Sequence, residues 1–194
     1  MSGAKPICSV SINEADWVGE TGYGGTPSDW QHICDILDLP TSEWDCPHEV
    51  VSEDFTKCIF HTPASDLPAH IDESEAQSNV IDSESNTEAP NEFLGADFGV
   101  LDIQTESIQP SGDLYFAGAR FTGKVTLSGT LDVSIVADRA VFQRELSCRD
   151  VEFTAPLEFD NVRFEGWTDF TRSSFQSGSS FTGATFADPV VFED

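Results

Sequence analysis

Lysine is almost absent from this sequence. Only Lys5, Lys57 and Lys124 occur in 194 residues, and the nine Lys and Arg together face 35 Asp and Glu for a formal net charge of −26. The clustered bases that grip nucleic acid phosphates or an anionic membrane are therefore missing. Long apolar runs are missing too. None approaches the roughly 18 residues of a membrane span, and the opening MSGAKPICSV has no apolar core of an export signal, so a cytoplasmic protein is expected. Histidine is confined to His32, His48, His61 and His70, which leaves the rest of the chain without the usual base for a Ser or Cys nucleophile. The glycines at Gly22, Gly24 and Gly25 are not followed by Lys and Ser or Thr, which excludes a phosphate loop. Carboxylate pairs are expected by chance among 35 acids. No enzyme is expected. Acid excess with lysine scarcity along the whole chain fits a halophilic host, where a dense cation atmosphere screens self-repulsion.

Composition divides the chain into three. Residues 1–62 hold three of the four Trp, four of the five Cys and three of the four His, a Cys/His-rich head. Residues 63–92 carry eight acids and no Lys, Arg or aromatic residue, which predicts an acidic flexible linker unable to bury enough surface to offset ordering entropy. Thirteen of the fifteen Phe fall in residues 93–194. By segment the acids and bases number 11 and 2, 8 and 0, and 16 and 7, so charge is distributed rather than concentrated.

The third segment is periodic. Ala140/Phe142, Val151/Phe153, Val162/Phe164, Ser173/Phe175 and Ala184/Phe186 recur every eleven residues. Leu146/Cys148, Leu157/Phe159, Thr168/Phe170, Ser179/Phe181 and Val190/Phe192 recur at the same period, offset by six. Neither a helix nor a simple strand alternates steps of five and six, whereas a coil that turns a corner every five or six residues does. Within each step the paired residues share one face of a short extended segment and point inward. Upstream, Phe93, Phe98, Ile103 and Ile108 follow at five, Ala119/Phe121 and Val125/Leu127 at six, and one residue is missing between Leu127 and Ala137. Phe142, Phe164 and Phe186 should stack in one column if two units make one coil.

The stretches ATFADPVVFED and VRFEGWTDFTR resemble the A-x-F-x-x-x-A-x-F-x-x pattern of one branch of the pentapeptide-repeat proteins. The resemblance covers residues 93–194 and is specific over 137–194. It implies an all-β solenoid, a right-handed quadrilateral β-helix with four segments per coil. Cys148 stands where that pattern expects an aromatic ring and reads as a small core thiol. The head is similar to the N-terminal module that precedes such repeats in halophilic archaeal members, with W-x-C-P-H and C-I-F-H as its marks.

Cys34, Cys46, His48, Cys58 and His61 lie within 28 residues. In a cytoplasmic protein such a cluster is more often a metal site than a disulfide framework. Cys58 and His61, spaced C-x2-H, set two zinc ligands on one tight turn. The other pair is Cys34 with Cys46, or Cys46 with His48. The first is favoured, because Cys46-Pro47-His48 fixes an extended step whose side chains splay, which leaves His48 as the alternative ligand. Cys8 stands 26 residues away and is expected to be no ligand.

Two functions remain: a non-catalytic protein-binding or scaffold module that presents a rigid acidic wall, or, as the resemblance permits, a DNA mimic that binds a type II topoisomerase. The bases of the array (Arg120, Lys124, Arg139, Arg144, Arg149, Arg163, Arg172) would interrupt a phosphate-like ladder, which favours the first. Trp167 falls outside the inward pairs and is the candidate contact. The array is still in register at Phe192. Its end is expected to be closed by further chain, by a partner protein or by a second copy, and the homodimer through the terminal coil is favoured.

Overall fold

Because the chain turns every few residues, its strands are only two to four residues long and gain their partners one coil away. The structure, a computed structural model, describes residues 6–18, 23–39, 43–52, 54–72, 75–77, 81, 91–104 and 112–193. Ile108, Gly22 and much of the 63–92 segment lie outside the described residues. Parallel strands stack into a β-solenoid of about four turns. Four ladders are visited in order. The first face joins Asp97–Phe98, Arg120–Phe121, Val141–Phe142, Arg163–Phe164 and Thr185–Phe186. The second joins Leu101–Gln104, Val125–Ser128, Leu146–Ser147, Thr168–Asp169 and Val190–Val191. The third joins Thr130–Leu131, Glu152–Phe153 and Ser174–Phe175, and the fourth Leu114–Tyr115, Ile135–Val136, Leu157–Glu158 and Ser179–Ser180.

The expected column is present: Phe98, Phe121, Phe142, Phe164 and Phe186 stack with centroids 5.0, 4.4, 5.3 and 4.7 Å apart. Phe153 stacks on Phe175 at 5.2 Å and Phe170 on Phe192 at 5.0 Å. Phe142, Phe153, Phe159, Phe164 and Phe170 are buried, Phe175 and Phe181 are half-buried, and Phe186 and Phe192 are exposed. Cys148 is fully buried, and burial followed by the charge of Asp169 pushes its thiol up. The missing residue falls at a turn. Thr126 pairs with Ser147, 21 residues on, and Thr130 with Glu152, 22 residues on, so the chain is shortened between them, where Gly129 adopts a φ of 83°.

From Arg139 onward a left-handed residue marks one corner of each half-coil. Arg139, Asp150, Asn161, Arg172 and Gly183, each eleven residues after the last, have φ between 55° and 71°. Gly118 and Gly95 hold the corresponding place in the earlier coils. These two glycines are where the head docks. A Cβ on Gly118 would lie 2.6 Å from Tyr23 and 3.1 Å from Trp17, and one on Gly95 would lie 1.8 Å from the Tyr23 hydroxyl. One coil further, Arg139 donates to Asp29 at 2.6 Å and to the Gly24 carbonyl at 2.9 Å.

The head consists of β1 (Ser11–Asn13), α1 (Glu14–Val18), α2 (Pro27–Ile36) and β2 (Glu43–Asp45), with β1 and β2 antiparallel. Thr26 and Asp29 form a capping box that starts α2, with Pro27 in its first turn. Asp29 thus caps a helix and holds the solenoid. Head and solenoid share one core: Phe60 packs on Phe93 and Phe98 at 4.8 and 5.3 Å, and the Asp97 amide donates to the Phe60 carbonyl at 2.8 Å. The head covers the first coil.

Part of the 63–92 segment differs from the flexible linker expected. Gln77 and Ile81 are buried, and the Gln77 amide donates to the Asp97 carbonyl at 2.8 Å and accepts from the Gly99 amide at 3.2 Å. One side chain supplies what a neighbouring strand would supply, and an average over composition does not register it. Among the described residues no helix is long and apolar enough to cross a membrane.

Two stability outcomes follow from this packing. Phe164 sits mid-column with no exposure, so Phe164→Ala should cost about 3–5 kcal/mol in denaturant melts, against less than about 0.5 for the exposed Arg163→Ala. Equal losses would contradict the inward register. Gly118→Ala combines a left-handed backbone with a clash against Tyr23 and should cost at least about 1 kcal/mol. Gly178→Ala, with open space around it, should stay within about 0.5 kcal/mol.

Candidate metal centre

Strand alternation brings together two cysteines that are far apart in sequence. The Cys8 amide donates to the His48 carbonyl at 2.9 Å and the Cys46 amide to the Val10 carbonyl at 2.9 Å, so the β1–β2 ribbon extends to both cysteines. Cys8 lies opposite His48 and Cys46 opposite Val10, which makes the two cysteines diagonal neighbours on one face of the ribbon. A third and fourth donor come from a single turn. The His61 amide donates to the Cys58 carbonyl at 3.1 Å, and the Thr62 hydroxyl donates to the same carbonyl at 2.9 Å.

The ligating atoms of Cys8, Cys46, Cys58 and His61 all lie within 4.8 Å of one another, and the four residues could hold a metal ion. Cys46 and Cys58 Sγ are 3.6 Å apart, Cys58 Sγ and His61 Nδ1 3.3 Å, and Cys8 Sγ and His61 Nδ1 3.7 Å. Metal bonds of about 2.3 Å to sulfur and 2.0 Å to nitrogen at tetrahedral angles separate two sulfurs by about 3.8 Å and sulfur from nitrogen by about 3.5 Å. The donors already stand close to that spacing. His61 Nε2 lies 3.1 Å from the Leu94 carbonyl. With the proton on Nε2 it donates there, and Nδ1 turns its lone pair to the thiols, the outer hydrogen bond that orients a ligating imidazole.

Cys46 and Cys58 are fully buried and Cys8 nearly so, which makes their charges interdependent. Hydrogen bonds from Cys46 and Cys58 draw the Cys8 thiol far below its ordinary value, while bonds to Cys58 and Cys8, and then burial, push Cys46 up. Burial by itself would lower His61, but hydrogen bonds with Cys58 and Cys8 and the charge on Cys58 outweigh it and push the imidazole up to about 10. A metal cation held here would satisfy this concentration of sulfur without protons.

The expected ligand set is corrected at one position: Cys8 joins Cys46, Cys58 and His61, and Cys34 does not. Cys34 lies in α2, where Trp30, Ile33 and Cys34 share one buried face at helical spacing, and burial raises its thiol. The alternative, His48, lies outside the group as well. Its ring stacks on Phe93 at 5.0 Å and 6°, its Nε2 lies 2.9 Å from the Glu92 carbonyl, and burial lowers its pKa to about 4. It is the first ring of a stack that continues to Phe116 at 5.3 Å. The signal for Cys8 was present as two period-two runs, Cys8-x-Val10-x-Ile12 and Trp44-x-Cys46, each with a cysteine on the inward face. Trp167 stands on the corner between the first and second faces and is 51% exposed. Compared with known proteins, the chain matches no protein-family model, no curated protein and no solved structure.

Elemental analysis of protein purified without an affinity tag should find bound metal in the native chain and in Cys34→Ser, and none in Cys8→Ser or Cys58→Ser. Metal lost from Cys34→Ser but kept in Cys8→Ser would restore the other ligand set. Because His61 bonds Leu94 and Phe60 packs on Phe93, chelation should raise hydrogen exchange at residues 91–98 as well as in the head. Exchange that rises only before residue 63 would show a head independent of the solenoid.

Proposed function

We propose that this protein is a non-catalytic protein-binding module, in which zinc locks a head onto a rigid solenoid that offers its outer faces to a protein partner. The observation that carries this reading is the closed donor set. Three thiols and one imidazole, all from protein and largely buried, suit tetrahedral zinc and fill its coordination, the arrangement of structural rather than catalytic sites. The eleven-residue period and its left-handed corners support a right-handed pentapeptide-repeat solenoid, and the charge balance supports a cytoplasmic protein of concentrated salt. The corner column offers the contact surface. Val100 and Trp167 are 52% and 51% exposed on the same corner, with the Lys124–Glu145 ion pair between them. The topoisomerase-binding mimic has less support, because Arg120 and Arg163 on the first face and Lys124 beside it interrupt any acidic ladder.

The Trp residues give a direct test. Trp17, Trp30 and Trp44 are buried, so acrylamide should quench only Trp167. A stoichiometric partner recovered from a high-salt extract should protect Trp167 from the quencher and slow exchange along the solenoid faces. Protection confined to the head, or no stoichiometric partner, would overturn the reading. Inhibition of supercoiling by micromolar protein in high salt would move the assignment to the mimic.

A further inference from the structure

A groove of about 910 Å³ runs between β1 with α1 and the first face of the solenoid. That volume falls in the range of about 300–1,000 Å³ typical of ligand sites. Three of the chain's nine basic residues, Arg120, Arg139 and Arg163, line it. In a chain of formal charge −26 this is a local inversion of sign. Arg139 is committed to Asp29 and Gly24 and fixes the wall. Arg120 and Arg163 are more than half exposed, each with one exposed acidic neighbour: Asp97 at 3.8 Å and Glu165 at 2.9 Å. Exposed pairs of this kind are weak and give way to a better-matched carboxylate.

We propose that this groove binds an extended acidic segment of a protein partner, with acidic side chains on either side of an apolar one. The inference rests on the binding-module reading and names its partner's chemistry. Three features of the groove select the class. Outward residues on successive rungs of the first face read Arg120, Val141, Arg163, two cations flanking an apolar step. Rungs are about 4.8 Å apart, so the backbones of the two arginines stand about 9.6 Å apart, a spacing their long side chains can match to acidic side chains that project from one side of an extended peptide. The opposite wall offers backbone. Val10 bonds Cys46 and Ile12 pairs with Trp44, and by ladder alternation the amide and carbonyl of Ser11 point away from β2. A strand can use both, whereas a free anion can use neither carbonyl nor Val141. Asp16 and Asp97 in the same groove act against a compact dianion such as phosphate.

The net charge repels an acidic peptide at long range, and molar salt removes that repulsion by shortening the Debye length to about 3 Å. The test therefore uses the full-length, metal-loaded protein in molar salt. The probe is a short fluorescent peptide with Glu at alternate positions around a central Val, compared with its Gln counterpart. Saturable binding of the Glu peptide is expected, weakened at least about tenfold in the Gln peptide and in the double variant Arg120→Gln/Arg163→Gln. The melting curve and metal content of that variant should match those of the native chain. Absence of saturable binding, equal binding of the Gln peptide, or an unaffected double variant would overturn the proposal. Displacement of the peptide by low concentrations of inorganic phosphate would also overturn it, in favour of a small-anion site. If a partner complex protects Trp167 while the peptide fails to bind, the groove assignment falls and the binding-module reading stands. If the peptide binds and no partner complex protects Trp167, the groove assignment stands and the Trp167 corner is no contact surface.

Discussion

A solenoid coil cannot bury its own upper and lower surfaces. Each two-residue strand finds its hydrogen bonds, and each ring its stacking partner, in the next coil along, so the first coil of the array depends on something that is not a coil. In this protein the head and the segment that follows it fill that role atom by atom. Phe60 and His48 continue the ring stacks, and the Phe60 carbonyl and the Gln77 amide take up backbone groups of Asp97 and Gly99 that would otherwise be orphaned. The glycines at Gly95 and Gly118 and the arginine at Arg139 suit the same docking. In the next two coils that corner is held by Asn161 and Gly183.

A metal held by Cys8, Cys46, Cys58 and His61 would complete this arrangement. A head of some 60 residues with few aliphatic side chains has little core of its own. Metal binding supplies folding free energy to such a unit, because the site is not preformed in the unfolded chain. Here the gain would be shared. His61 faces the thiols with one nitrogen and the first coil with the other, so its orientation for the metal depends on the position of Leu94. Metal affinity and the order of the first coil would therefore be linked, each raising the other.

What was legible in the sequence follows the reach of each interaction. The solenoid was readable because strand alternation and the corner period are local, so the Phe142, Phe164 and Phe186 column could be placed from spacing alone. The metal centre was half readable. Cys58 and His61 share one turn and Cys46 lies nearby, but Cys8 arrives through β1–β2 pairing, which no local spacing reports. Cys34 is close in sequence and turned elsewhere by its helix. Gln77 and Ile81 were hidden for a third reason. A segment of mostly polar, acidic residues reads as unstructured on average, yet Gln77 and Ile81 are buried and Gln77 bonds the first coil.

The surface charge obeys a different logic from the core. Many acids bond backbone amides or hydroxyls within the fold, as Asp16 does with Asn13, Asp113 with Ser134 and Asp160 with Thr182. The few bases are more informative, because in this chain each cation is scarce and several have definite partners: Arg139 ties the head to the rod, Arg149 bonds Asp169, Arg172 bonds Asp150, and Lys124 pairs with Glu145 across a corner. These pairs link neighbouring coils, or head and coil, and so act along the axis in which the solenoid is cohesive. Arg163 pairs instead with Glu165, two residues away on its own coil, and Arg120 reaches Asp97 only at 3.8 Å. The first contact links no two coils, and the second is longer than any of the structural pairs. Arg120 and Arg163, whose contacts do little to hold the rod together, face the groove beside Arg139, which ties the head to it.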